Sequence, residues 1–326
     1  MNLSARNQKL LAVIQSDFPI TTRPFVSVGN SIDWTEDEVI ESIDSLKKNG
    51  LIREFGPVFD AGNIGYVSTL IAVKIDTNHI EELVQVMLDI REITHCYLRN
   101  HEFNLWFTIT ALNKTIINII IDRVKLFSGV SVVLNLPAMK VYKINAVFDA
   151  EHAKCRNIGK SYIDINLSDS DKDLIRELQK GFPIVKNPFE LIANRTKLHE
   201  SAIIDTISDW IETGIIRRFG ARLNHKNAGF SSNCMAVWKD EHIDMLGITF
   251  SKMRQVSHCY RRISCDDWPY GLYTMLHAKS DNELIELLHS MKTAAPNAEM
   301  LALKTEKELK KTSMIYFMED ETWDSR

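Results

Sequence analysis

This sequence is short of three things, and each shortage excludes a class of function. Long apolar runs are missing. The longest apolar stretch, residues 116–121, is interrupted by Asn118, far from the ~20 residues that cross a bilayer. Cysteine is rare. Cys96, Cys155, Cys234, Cys259 and Cys265 form an odd set with no C-x-x-C pair. That argues against a zinc ribbon or a disulfide framework and points to a reducing cytoplasm. The third shortage is of positive charge: 39 Lys and Arg stand against 43 Asp and Glu, a net −4. The basic footprint of a nucleic-acid binder is therefore missing at the level of the whole chain. Residues 1–6 also have no apolar signal-peptide core. What remains is ordinary globular protein, 45% hydrophobic and 25% charged, which excludes disorder and collagen-like structure. At ~100–200 residues per domain, 326 residues suggest two or three domains.

The most informative feature is an internal repeat. Residues 2–76 align with 166–240 without a gap. Asn2-Leu3-Ser4 matches Asn166-Leu167-Ser168, Phe18-Pro19-Ile20 matches Phe182-Pro183-Ile184, and Pro24-Phe25 matches Pro188-Phe189. Phe55-Gly56 matches Phe219-Gly220, and His95-Cys96-Tyr97 matches His258-Cys259-Tyr260. The period is too long for a solenoid. Two homologous units are fused in one chain.

Each unit has two parts. The first reads as three helices, near 6–16, 24–30 and 35–49 in copy one and 170–180, 188–196 and 199–213 in copy two, closed by Gly50 and Gly214. An apolar strand pair is expected next, over residues 51–59 in copy one, which completes a winged helix-turn-helix. The second part alternates strand and helix as βαββαβ, the ferredoxin-like order, with helices on one sheet face and the other face open. The fold class is thus α+β, a tandem repeat. Its expected domains are a winged helix-turn-helix at 1–62, a ferredoxin-like domain at 63–148, a linker at 149–164, a second winged helix-turn-helix at 165–226 and a second ferredoxin-like domain at 227–326.

This plan resembles the Lrp/AsnC family of transcription regulators, and the resemblance implies DNA binding. The recognition helices oppose it. The third helix of copy one carries Glu36, Asp37, Glu38, Glu41 and Asp44 against Lys47 and Lys48, and residues 199–213 hold no Lys or Arg at all. DNA affinity depends on neutralising phosphates. The fold is expected to have kept its shape and lost that use.

Copy two contains His258-Cys259-Tyr260-Arg261-Arg262, then Asp266-Asp267-Trp268-Pro269-Tyr270, then Gly271-Leu272-Tyr273-Thr274-Met275-Leu276-His277. On a strand, His258, Tyr260 and Arg262 share one face, and Cys259 and Arg261 the other. Three polar residues on one face are costly to bury without partners, so that face opens on a cavity or the three bond to each other. Trp268 and Tyr270 stand where they can wall a flat pocket. Copy one places His95, Tyr97, Arg99 and His101 on one face, lacks the Asp-Trp-Pro-Tyr insert and has Thr110 in place of His277. The copies have diverged where chemistry would sit, which suggests one working site per fused pair. Cys96 and Cys259 read as small core residues, and His225 as a turn cap or a substrate contact.

The strings Gly214-Ile215-Ile216-Arg217-Arg218-Phe219-Gly220-Ala221, His258-Cys259-Tyr260 and Asp267-Trp268-Pro269-Tyr270-Gly271 resemble the siroheme decarboxylases. Copy one departs from the first string with Arg53-Glu54-Phe55-Gly56-Pro57. The resemblance implies removal of the carboxyl groups of two acetate side chains of siroheme, giving 12,18-didecarboxysiroheme for heme d1 or an alternative heme route. It implies His258, His277 and Tyr260 as catalytic residues. For binding it implies Arg261, Arg262, Trp268, Tyr270, Arg217 and Arg218, helped by His95, Tyr97, Arg99 and His101 if the open sheet faces meet. Arginine suits the carboxylates because it holds them bidentately. The macrocycle delocalises charge, so no cofactor is expected and the iron belongs to the substrate. Pairing of the copies within the chain is expected, with monomer and homodimer both compatible. The alternatives are a tetrapyrrole-binding sensor without chemistry and a transcription regulator.

Overall fold

The computed structural model describes residues 4–144, 166–224 and 232–318. The expected linker at 149–164, the boundary at 226–227 and His225 lie outside the described residues. Copy one opens with α1 (Ala5–Ser16), α2 (Pro24–Ile32) and α3 (Glu36–Lys48), followed by β1 (Ile52–Phe59). It continues with β2 (Val67–Ile75), α4 (Ile80–Leu88), β3 (Ile93–Arg99), β4 (Leu105–Ala111), α5 (Lys114–Lys125) and β5 (Val130–Ile144). Copy two repeats the order as α6 (Asp169–Leu178), α7 (Pro188–Thr196), α8 (Glu200–Thr213) and β6 (Ile216–Leu223). Then come β7 (Ser232–Lys239), α9 (Ile243–Ser251), β8 (Val256–Arg262), β9 (Leu272–Ala278), α10 (Asp281–Ala294) and β10 (Glu299–Lys311).

Local chemistry sets the helix ends. Thr35 with Glu38, and Ser168 with Asp171, form capping boxes that satisfy the first free N–H groups of α3 and α6. Pro24 and Pro188 begin α2 and α7, where a missing N–H costs nothing. Gly214 ends α8 in a left-handed conformation.

The strand pair expected after each third helix is corrected. Copy one supplies one strand, copy two supplies one, and β1 pairs antiparallel with β6. Backbone groups on a lone strand must find partners, and the homologous strand provides them. Gly56 faces Gly220 at the centre of this ribbon, with φ of 145° and 147°. A Cβ at Gly220 would stand 2.1 Å from the Ile14 carbonyl oxygen. The helices of both copies pack on this ribbon around one aromatic cluster. Phe18 lies 5.0 Å from Phe55 and 5.6 Å from its repeat equivalent Phe182, and Phe182 lies 5.0 Å from Phe219. The repeated phenylalanines of the sequence thus meet in a single core.

The βαββαβ parts make two sheets, β5-β2-β4-β3 and β10-β7-β9-β8, all antiparallel. Neither sheet ends at its own copy. The first half of β5 pairs with β2 and its second half, from Ala138, pairs with β8. Likewise β10 pairs with β7 up to Lys304 and with β3 from Thr305. Eight strands close into a barrel with no free edge. Period-2 alternation then sorts side chains. Outer residues such as Cys96, Phe107, Cys259 and Leu276 pack under the helices. Inner residues including Trp106, Leu136, Val237, Trp268 and Leu303 fill part of the interior.

Candidate active site

The rest of the barrel interior is a cavity of about 730 Å³, bounded by both sheets, the β1–β6 ribbon and residues 312–316. That volume lies within the ~300–1,000 Å³ of small-molecule sites. Trp106, Met235 and Tyr273 line it where the barrel plug begins. Among the described residues, Lys47, Arg53, Arg99, Lys180, Arg217, Arg222, Arg262 and Lys311 line it against only two carboxylates, Glu54 and Asp60.

Both carboxylates are engaged by the cations beside them. Asp60 lies 3.7 Å from Arg217, whose Nη2 also donates to the Phe59 carbonyl at 3.0 Å. Glu54 pairs with Arg222 directly across the ribbon and accepts from Ser313 Oγ at 2.9 Å. Copy one therefore uses its departure from the Arg-Arg string to anchor a guanidinium of copy two.

Arg99 and Arg262 are repeat equivalents and are held alike. Arg99 Nη1 donates to the Leu303 carbonyl at 2.8 Å, and Arg262 Nη1 to the Leu136 carbonyl at 2.7 Å. Arg99 stacks 5.5 Å from the Tyr97 ring and Arg262 5.0 Å from Tyr260. Burial lowers Arg99 to about 10, and lowers Arg262 too. The Nε atoms of Arg99, Arg217, Arg222 and Arg262 are buried without a hydrogen-bond partner among the described residues. The excess of cationic side chains around the cavity suits it to anions, which charge-assisted hydrogen bonds hold strongly.

Among the described residues three histidines line the same cavity: His95, His258 and His277. Burial, with Lys311 and Arg53 nearby, lowers His95 to about 4. Burial again, then His277 and Arg217, lowers His258 to about 3, and burial and Lys311 lower His277 to about 4. Burial favours the neutral form of all three. Tyr97 and Tyr260 also line the cavity, and burial raises both phenols.

The cavity thus gathers His258, His277, Tyr260, Arg262, Arg217, His95, Tyr97 and Arg99. Five other expected residues are elsewhere. Arg261 points outward on the opposite face of β8 and pairs with Asp244 at 2.8 Å. Arg218 follows Arg217 on one strand, so it faces away, donating to the Gln15 carbonyl at 3.3 Å. Trp268 does not wall the pocket. It is buried in the barrel plug, 5.3 Å from Trp106, and donates from Nε1 to the Tyr273 hydroxyl at 2.7 Å. Tyr270 packs on Trp268 and donates to Glu299 at 2.9 Å. His101 accepts from the Phe103 N–H at 3.1 Å and packs edge-on against Trp268.

Sequence reasoning missed Arg53, Arg222 and Lys311, and also the strap at 312–316. Gln179 clasps both the N–H (2.9 Å) and the carbonyl (3.0 Å) of Tyr316, and Tyr66 accepts from the Phe317 N–H at 2.7 Å. Arg53 stands in the very string that the repeat aligns with Arg217, which was a usable signal.

Two family models match both copies of the chain. One is described as "Siroheme decarboxylase NirDL-like HTH domain" at residues 7–53 and 171–217, the other as "AsnC-like ligand binding domain" at 63–143 and 227–310. A siroheme decarboxylase of Hydrogenobacter thermophilus is 30% identical over 323 residues, covering 97% of this chain and 96% of the relative. A siroheme decarboxylase beta subunit of Oleidesulfovibrio alaskensis is 37% identical over 153 residues, covering 46% of this chain and 97% of that subunit. A solved structure of the siroheme decarboxylase NirDL in co-complex with an iron-uroporphyrin III analogue superimposes with a TM-score of 0.75 at 26% identity, covering 97% of this chain and 95% of the other.

Proposed function

The chain belongs to the siroheme decarboxylases, and we propose that its cavity takes siroheme and removes the carboxyl groups of two acetate side chains, yielding 12,18-didecarboxysiroheme for heme d1 synthesis. It is a carboxy-lyase by membership. The observation that carries the reading is the cavity's charge: among the described residues, eight cationic side chains against two carboxylates. A flat tetrapyrrole with eight carboxylates is the complement of such a site.

In this reading Arg99, Arg217 and Arg262, joined by Arg53, Arg222 and Lys311, hold the carboxylates that stay. Tyr97 and Tyr260 provide flat walls beside them. Substrate that fills the cavity displaces water from around the scissile carboxyl, which favours its loss as neutral carbon dioxide. The electron pair of the broken C–C bond passes to the exocyclic carbon, conjugated with the ring, and a histidine delivers the proton there. His258 and His277 face the cavity for that work. No added cofactor is required, and the iron arrives with the substrate. Strand exchange completes one shared site inside a single chain, which works as a monomer or as a homodimer of such units. The free cysteines Cys96, Cys234, Cys259 and Cys265 suit a cytoplasmic home. Among the described residues no helix is long and apolar enough to cross a membrane. A regulator would need basic recognition helices, and α3 begins with Glu36, Asp37 and Glu38.

Anaerobic incubation of the protein with siroheme, followed by mass spectrometry of the tetrapyrrole, tests this. Two successive losses of carbon dioxide are expected, and His258→Ala is expected to abolish at least one. Siroheme that binds and stays intact would make the protein a carrier or sensor.

A further inference from the structure

The histidines of β3 and β8 each follow a buried hydroxyl residue, Thr94 and Ser257. In both copies that residue sits at a register shift. Between Ile93 and His95, and again between Val256 and His258, the strand carries one residue more than its partner. An extra residue of this kind turns a side chain out of strict alternation, and such irregularities recur beside active sites. Here the turn brings each hydroxyl to the neighbouring ring. Ser257 Oγ lies 2.9 Å from His258 Nδ1, and Thr94 Oγ1 lies 3.0 Å from His95 Nδ1.

The two hydroxyls differ in where their proton goes. Ser257 donates it to the Met275 carbonyl at 3.1 Å. A hydroxyl has one proton, so toward His258 it can only accept, and Nδ1 must carry hydrogen. Thr94 Oγ1 has no other hydrogen bond among the described residues. Among the described residues its proton finds an acceptor only in His95 Nδ1, which favours a bare Nδ1 there, because an unsatisfied buried donor costs about 1–3 kcal/mol. A neutral imidazole carries hydrogen on one nitrogen, so the remaining nitrogens are opposite in kind.

We propose that Ser257 and Thr94 are positioning residues that hold the two cavity histidines in opposite tautomers, His258 with a bare Nε2 and His95 with an Nε2–H. This deepens the decarboxylase reading and rests on it for its chemical meaning. The scissile group enters as a carboxylate, and His258 Nε2 takes up a proton from solvent. The C–C bond breaks, carbon dioxide leaves, and the electron pair of that bond stays on the exocyclic carbon. That carbon takes the proton from Nε2, leaving a methyl group and neutral His258. His95 meanwhile donates from Nε2 to a carboxylate that remains. The fused pair thus divides one ancestral histidine into a proton carrier and a fixed donor.

The test uses the whole protein, labelled with nitrogen-15 histidine and free of ligand, at neutral pH. Long-range proton–nitrogen spectra distinguish protonated from bare ring nitrogens, and His258→Gln and His95→Gln assign the signals. The expected result is a protonated Nδ1 in His258 and a protonated Nε2 in His95. Ser257→Ala should move His258 to the Nε2–H form, and Ser257→Thr should keep it on Nδ1. With siroheme, Ser257→Ala should lower kcat by about 10-fold or more, inside the ~10²–10⁴ that positioned proton transfer supplies, with KM little changed. The same tautomer in both histidines would overturn the proposal, as would an unmoved His258 in folded Ser257→Ala. Opposite tautomers in a protein that leaves siroheme intact would instead overturn the decarboxylase reading.

Discussion

At the scale of single residues, strand alternation was the strongest signal in the sequence. It separates His258, Tyr260 and Arg262 from Cys259 and Arg261, and the barrel keeps that division. The same rule already forbids both members of Arg217-Arg218 or Arg261-Arg262 from facing one cavity, so the family string overstated the clamp. Arg262→Met should weaken siroheme binding by roughly 10- to 100-fold in KM, the worth of a lost charge-assisted bond of about 1.5–3 kcal/mol. Arg261→Met breaks only a half-exposed pair worth about 0–1 kcal/mol and should leave KM nearly unchanged. Titrating siroheme into both variants separates the two roles. The buried histidines also set a pH dependence. Their folded values, about 3 for His258 and about 4 for His95 and His277, lie below the ordinary 6.5, so the unfolded chain binds protons more readily. Their stabilising effect is complete above pH ~6.5 and is lost as pH falls through about 4 for His95 and His277 and about 3 for His258. Thermal unfolding of the empty protein should show Tm dropping over that window, and His258→Gln should flatten the slope.

At the scale of elements, helix and strand order was legible because caps, proline starts and alternating apolar patterns are local. Strand pairing was not. Nothing within residues 51–66 says that β1 will seek β6, since the partner lies one repeat away. Nor does the Asp-Trp-Pro-Tyr insert reveal that its tryptophan turns inward to plug the barrel. The twin glycines are a cleaner case. Gly56 and Gly220 hold φ values that side chains with a Cβ rarely adopt, and Gly220 also presses on α1. Gly220→Ala should therefore destabilise by more than the ~1 kcal/mol of a compatible glycine change, because strain and overlap add. Urea unfolding monitored by circular dichroism would read this as a lower midpoint.

At the scale of the whole molecule, the repeat predicts two sheets with open faces, but not that the sheets trade strand ends. The second halves of β5 and β10 are too long for their own sheets and have partners only in the other copy. Residues 1–148 and 165–326, produced separately, should each expose sheet edges and self-associate or aggregate. Co-produced, they should form a one-to-one complex that recovers siroheme decarboxylation, read by size-exclusion chromatography and mass spectrometry. The traded ends also govern the order of events at the ribosome. Domains generally fold from the N-terminus as they emerge, at about 5–20 residues per second. Here β3, finished by Arg99, waits for Thr305–Lys311 before its outer edge is covered. For the time needed to translate most of copy two, the first sheet is a half-built wall. A message that stops short of β10 leaves two raw edges, on β3 and β7, so quality control can recognise an unfinished chain from its exposed backbone alone.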